Sequence, residues 1–121
     1  MKARFTHPLA PGIVAKNPFS VVGGTVTLEL TQGRSTTIDL DDLPLVAPYR
    51  WHHTSVGYAD SIVRSDEGRK PEHQLMHRLI LDLKHGTLCA DHRNGDRLDN
   101  RRMNLRRCSN HQNLMNLGMR P

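Results

Sequence analysis

Four side chains in the last third of the chain could share one piece of chemistry: Asp91, His92, Asn104 and Asn113. An aspartate carboxylate and an asparagine amide carbonyl are hard oxygen ligands, the kind that Mg²⁺ and similar divalent cations prefer. Asp91 and Asn113 supply one of each and leave the other coordination positions to water and phosphate oxygens. An imidazole titrating near 6.5 is matched to deprotonating water around neutral pH, which suits His92 to general-base work. A cation on a phosphate, beside an activated water, is what hydrolysis of a phosphodiester requires. Taken singly, each residue has a plainer role: a turn carboxylate, a surface imidazole, a turn amide, a polar helix position. The spacing argues for a site, with Asn104 twelve residues after His92 and Asn113 nine after Asn104.

These residues need particular elements to bring them together. Thr87 to Asp91 reads as a short strand, and Arg93-Asn94-Gly95-Asp96 as a turn, since Asn-Gly readily adopts positive φ. Residues 96–103 form a polar loop, and Asn104 to Cys108 a second strand. Ser109 followed by Gln112 makes a capping box, so a helix is expected through Asn113 to Leu117. A hairpin followed by a helix can place Asp91 and Asn113 side by side. Successive strand residues point to opposite sides, so the chain must bulge or enter a loop near His92 for Asp91 and His92 to serve one site. His111 competes for the role of helix ligand. It lies about 200° round a helix from Asn113, so the two cannot share it, and the resemblance described below favours Asn113.

Further upstream, residues 1–20 hold three prolines and read as an irregular N-terminal arm. Val26, Leu28 and Leu30 alternate along a half-buried strand, and Ser35 to Leu40 can return as its hairpin partner across Gln32-Gly33. Asp41-Asp42 before Leu43-Pro44-Leu45-Val46 suggests a short capped helix. Tyr49 to Thr54 and Tyr58 to Arg64 read as two more strands, with Trp51 and Tyr58 as core pieces. Pro71 is expected to start a helix whose stripe is Leu75, Leu79 and Leu83. That helix carries His77, which could approach a site, although a lone helical His is more often a packing residue. The expected class is α+β, with a small antiparallel sheet and linking helix over 21–84 and the strand–strand–helix unit over 85–121, the two forming one compact body.

The composition narrows the partner. Lys and Arg number 17 against 12 Asp and Glu, a net charge of +5. Arg93, Arg97, Arg101, Arg102, Arg106 and Arg107 crowd into one stretch. Guanidinium forks fit phosphate oxygens, so Arg93, Arg101, Arg102, Arg106 and Arg107 are the candidates for gripping a polyphosphate partner, which the resemblance described below makes double-stranded DNA. Cys89 and Cys108 form no CxxC pair, so no structural zinc is expected, and on paired strands in a reducing cytosol they should be thiols. No segment is long and apolar enough to span a membrane, and a soluble cytoplasmic protein is expected; the resemblance described below implies a bacterial or phage-infected cell. Nothing suggests a dimer helix, so the chain is expected to be a monomer or weak dimer.

The run from Cys89 to Arg106, continued by Ser109 to Asn113, resembles the HNH endonuclease family. It is most similar to the phage-associated and intron-encoded branch, in which the last His of the name is an Asn. The marks are the Asp91-His92 pair, the Asn94-Gly95 turn, "LDNRR" at 98–102, "NLR" at 104–106 and the Gln112-Asn113 pair. "IDLDDLPLV", "YRW", "GYA" and "MHRLIL" look like the small sheet and linking helix that often precede that motif. The resemblance covers roughly residues 25–117. It implies a ββα-metal fold and a DNA endonuclease using one divalent cation, Mg²⁺ or Mn²⁺. In it His92 is the general base, Asp91 and Asn113 are ligands, and Asn104 pins the loop around the histidine. It also raises a phage packaging protein as a partner. The alternatives are a DNA-binding module without turnover and a nuclease that cuts only with its partner.

Overall fold

The computed structural model describes residues 5–7, 10–64, 70–83 and 88–109, with side-chain burial defined over 12–64, 70–83 and 90–108. The architecture is α+β, with four small antiparallel sheets and two short α-helices among the described residues. Strands β1 (Phe5–His7) and β2 (Ala10–Ala15) form one pair. Strands β3 (Phe19–Val22), β4 (Thr25–Glu29) and β5 (Ser35–Asp39) form a three-stranded sheet with β5 at its edge. A 3-10 turn at Leu40–Asp42 leads into α1 (Leu43–Val46). Then come β6 (His52–His53), β7 (Ala59–Val63) and β8 (Glu72–Leu75), a second three-stranded sheet, followed by α2 (Met76–Ile80). Strands β9 (Leu88–His92) and β10 (Leu105–Ser109) make the last pair, with a 3-10 turn at Arg102–Asn104 before β10.

The alternation read along β4 is real and decides the packing. Val26 and Leu28 are buried at 0% and 1% exposure, and across the ladder they meet Ile38 and Thr36 of β5. Leu43, Val46, Trp51, Met76 and Ile80 close the same core. Trp51 is satisfied at both ends. Its indole donates to the Val46 carbonyl at 2.8 Å, and its backbone N–H donates to Asn17 Oδ1 at 2.8 Å.

The structure corrects four expectations. Phe5–His7 and Ala10–Ala15 are strands rather than part of an irregular arm, because edge strands tolerate proline and Pro11 lies in β2, which among the described residues pairs with β1. Pro71 is followed by a strand rather than a helix. Residues Glu72–Leu75 pair with Asp60–Val63 of β7, and only Met76–Ile80 turn helical. Ladder bonds to β7 outweigh the apolar stripe there, and Leu75 becomes the extended residue ahead of the helix. Asp42 does not cap α1; it accepts the guanidinium of Arg102 instead. The strand expected over Tyr49 to Thr54 shrinks to His52–His53. The helix expected through Asn113 to Leu117 lies outside the described residues.

Candidate active site

The β9–β10 ladder pairs Asp91 with Arg106 and His92 with Leu105, and it runs without a bulge. β9 ends at His92, and the N–H of Gly95 closes back onto the His92 carbonyl at 3.0 Å. Gly95 has φ +80°, the left-handed conformation that Asn-Gly turns supply at little cost. The loop therefore starts directly at the histidine. Asp91 and His92 are both buried, at 7% and 5% exposure.

Asn104 locks this loop from its far end. Its carbonyl oxygen accepts from the backbone N–H of Asn94 at 3.1 Å, and its amide donates to Asn94 Oδ1 at 3.0 Å and to the Asp99 carbonyl at 2.9 Å. Its own backbone carbonyl takes the N–H of Arg93 at 2.8 Å. One buried amide thus holds both the turn after His92 and the approach to β10. The opposite side of the loop is fixed by β5. Thr37 N–H donates to the Leu98 carbonyl at 3.0 Å, and Asn100 N–H donates to the Thr37 carbonyl at 2.8 Å. The edge of the upstream sheet is thereby the template on which the loop is laid.

His92 Nε2 lies 2.8 Å from Asn100 Oδ1. Its ring packs on His77, with centroids 4.7 Å apart, and near Tyr58 at 6.0 Å. Tyr58 stacks on His77 at 5.1 Å, and the Arg97 guanidinium covers the Tyr58 ring at 5.0 Å. Burial holds the His77 pKa down at about 3, with the neighbouring His92 pushing the same way. Burial likewise lowers the pKa of His92, against the opposing pull of Asn100 and of the Asp91 charge. Both rings are therefore neutral near pH 7. Asn100 stands in the "LDNRR" run with nothing in the sequence to mark it; in the fold it is buried to 1% exposure beside the histidine. His77, weighed only as a residue that could approach a site, is brought directly onto His92.

The arginines are mostly engaged inside the protein. Arg101 makes a two-pronged contact to Asp99, with both distances 2.8 Å, and this holds the Asp99 carboxyl below its usual range. Arg102 grips Asp42 in the same way at 2.8–3.1 Å. Arg107 donates to the Leu81 carbonyl. Arg106 Nη2 meets Asp91 Oδ2 at 2.5 Å, while its buried Nε has no hydrogen-bond partner among the described residues. Arg93 is exposed at the start of the turn.

Asp91 is chemically suited to a hard cation, and its charge is balanced here by Arg106. Asn113, expected to be the second ligand, lies outside the described residues, as does His111. Among the described residues no group of three or more His, Cys, Asp or Glu is arranged to hold a metal ion; one carboxylate with one amide would not form such a group. Cys89 and Cys108 face each other in the ladder register. A second histidine cluster lies on the β6–β7–β8 sheet. There the carboxylate of Asp60, buried to 1% exposure, takes His73 Nδ1 at 2.6 Å and His52 Nε2 at 3.3 Å. No helix among the described residues is long and apolar enough to cross a membrane. Compared with protein-family models, curated proteins and solved structures, the chain matches none.

Proposed function

We propose that this chain is a metal-dependent DNA endonuclease of the HNH kind, with His92 as the general base. The observation that carries the reading is the state of His92. It is buried and neutral, stands directly after a buried carboxylate, and is held by Asn100 in a loop that Asn104 locks. A neutral imidazole of fixed orientation is what proton abstraction from water needs.

In the proposed reaction, His92 takes a proton from water as the water oxygen attacks phosphorus. The bond from phosphorus to the 3′-oxygen breaks, giving a 5′-phosphate and a 3′-hydroxyl that is protonated from solvent. Asp91 and Asn113 would hold one divalent cation, Mg²⁺ or Mn²⁺. When bound, it supplies charge neutralisation at the phosphate and the departing oxygen. Arg93, exposed beside the site, is the first candidate for a phosphate contact, and Arg106 is the second, if it moves from Asp91 to the DNA. Arg101, Arg102 and Arg107 serve first to hold the loop and strands together. The substrate is double-stranded DNA, and a phage packaging protein is the partner to try first.

One observation favours a second reading, a DNA-binding module without turnover: Arg106 already sits on the carboxylate that would bind the cation. Supercoiled plasmid incubated with the protein and Mg²⁺ or Mn²⁺ separates the two. A nuclease gives nicked or linear product that EDTA abolishes. A binding module shifts the plasmid in a gel and yields no product with either metal.

A further inference from the structure

His92 has two ring nitrogens, and a neutral ring carries a hydrogen on only one of them. Which one decides the atom that can accept a proton from water. Hydrogen positions are fixed by the network around the ring, and this network leaves a single consistent solution.

It begins in β5. The hydroxyl of Thr36 lies 2.7 Å from the Leu98 carbonyl, which can only accept. The one hydroxyl hydrogen is used there, since the other acceptor in reach, Met76 Sδ, is weaker and lies 3.9 Å away. Thr36 Oγ1 is then an acceptor toward its next neighbour, Asn100 Nδ2 at 2.9 Å. Met76 Sδ, 3.5 Å from the same atom, also accepts only. That end of the amide faces two acceptors and must be the NH₂ group. The other end is the carbonyl oxygen, which cannot donate. It lies 2.8 Å from His92 Nε2. Nε2 must therefore carry the hydrogen, and the lone pair is left on Nδ1. Thr36 and Asn100 are each 1% exposed, so water is not at hand to replace either partner.

We propose that Thr36 and Asn100 are positioning residues whose hydrogen-bond relay fixes His92 as the Nε2–H tautomer and leaves Nδ1 as the atom that accepts the proton of the attacking water. That Nε2 carries a hydrogen stands on geometry alone; the role of Nδ1 rests on the nuclease reading and on a neutral ring, the ordinary state of an imidazole at pH 7.5. It also gives the upstream sheet a chemical task, because the orientation of a histidine in the last third of the chain is set by a threonine in the first third.

The test is imidazole ¹⁵N NMR on the intact protein near pH 7.5. Long-range ¹H–¹⁵N correlations tell Nε2–H from Nδ1–H, and His92 is assigned by its disappearance in His92→Gln. The wild type should show the Nε2–H pattern. Thr36→Val, which keeps the shape and removes the hydroxyl, should give a mixture of tautomers, and Thr36→Ser should restore the pure pattern. In plasmid cleavage Thr36→Val should lose about 10- to 100-fold in kcat with KM nearly unchanged, the range for losing a partner that orients a functional histidine, and Thr36→Ser should recover it. An Nδ1–H pattern in the wild type would overturn the relay, and so would an unaltered pattern in Thr36→Val. An Nε2–H pattern that responds to Thr36, in a wild type that never cuts DNA, would keep the relay and remove the nuclease reading.

Discussion

The protein holds two groups of histidines and treats them in opposite ways. On the β6–β7–β8 sheet, His52 and His73 are open to solvent, with side chains 34% and 72% exposed, and both turn a ring nitrogen to the buried carboxylate of Asp60. Near the end of β9, His77 and His92 are each 5% exposed and stack on one another and on Tyr58, with no carboxylate hydrogen-bonded to either ring among the contacts described. The first arrangement occupies its ring nitrogens with a charged partner, so it ties three strands together. In the second, burial lowers the pKa of both rings, and the proposed base, His92, has the Asn100 amide as its partner. Burial, and an amide rather than a carboxylate as hydrogen-bond partner, separate the proposed base from the fastening.

That contrast can be broken from either side. The largest effect on stability is expected from Asn104→Ala, which leaves the buried Asp99 carbonyl and two polar groups of Asn94 without their partner. It should cost about 3 kcal/mol in urea unfolding, and an unchanged midpoint would mean that the loop is not held as described.

Acid should expose the second group. His77 has a pKa of about 3 in the fold against an ordinary 6.5, so between these values the unfolded chain binds a proton that the folded chain refuses. Stability is full above about pH 6.5 and falls as the pH drops toward 3, by at most about 1.4 kcal/mol per pH unit for this one proton. The lowered pKa of His92 acts in the same direction. His77→Phe, which keeps a ring against Tyr58, should lose less stability between pH 7.5 and pH 5 than the wild type, as measured by urea unfolding at both. Parallel losses would show that His77 is not the residue resisting protonation.

The smallest effect belongs to the first group. Asp60→Asn weakens contacts to two solvent-exposed rings and should cost about 1 kcal/mol. Plasmid cleavage per folded molecule should stay within about twofold of wild type, and a large loss of cleavage would move chemistry onto that sheet.

Much of the fold could be read from the residues because it rests on short-range pattern. The Val26–Leu28 alternation, the hairpin into β5 and the β9–turn–β10 unit around Asn94-Gly95 all stand. The stretch after Pro71 misled because an apolar stripe at helical spacing does not announce that residues 72–75 have a ladder partner in β7. The prolines of the first twenty residues hid strands for the same reason. The site was legible as residue types, and Asn104, His92 and Asp91 do meet around one loop. The partners that orient them were not legible, since Thr36 and Asn100 lie 64 residues apart and only the docking of the loop on β5 brings them together. Nor did the arginine cluster announce that Asp42, Asp91 and Asp99 would occupy half of it.

The central claim is that the buried histidine group, and not the exposed one, carries catalysis. Purified wild type, His92→Ala and His73→Ala, compared on supercoiled plasmid with Mg²⁺ or Mn²⁺, test it most directly. His92→Ala should cut about 10²- to 10⁴-fold more slowly, the contribution of a positioned general base, while His73→Ala should cut like the wild type. Full activity in His92→Ala, or its loss in a folded His73→Ala, would contradict the account.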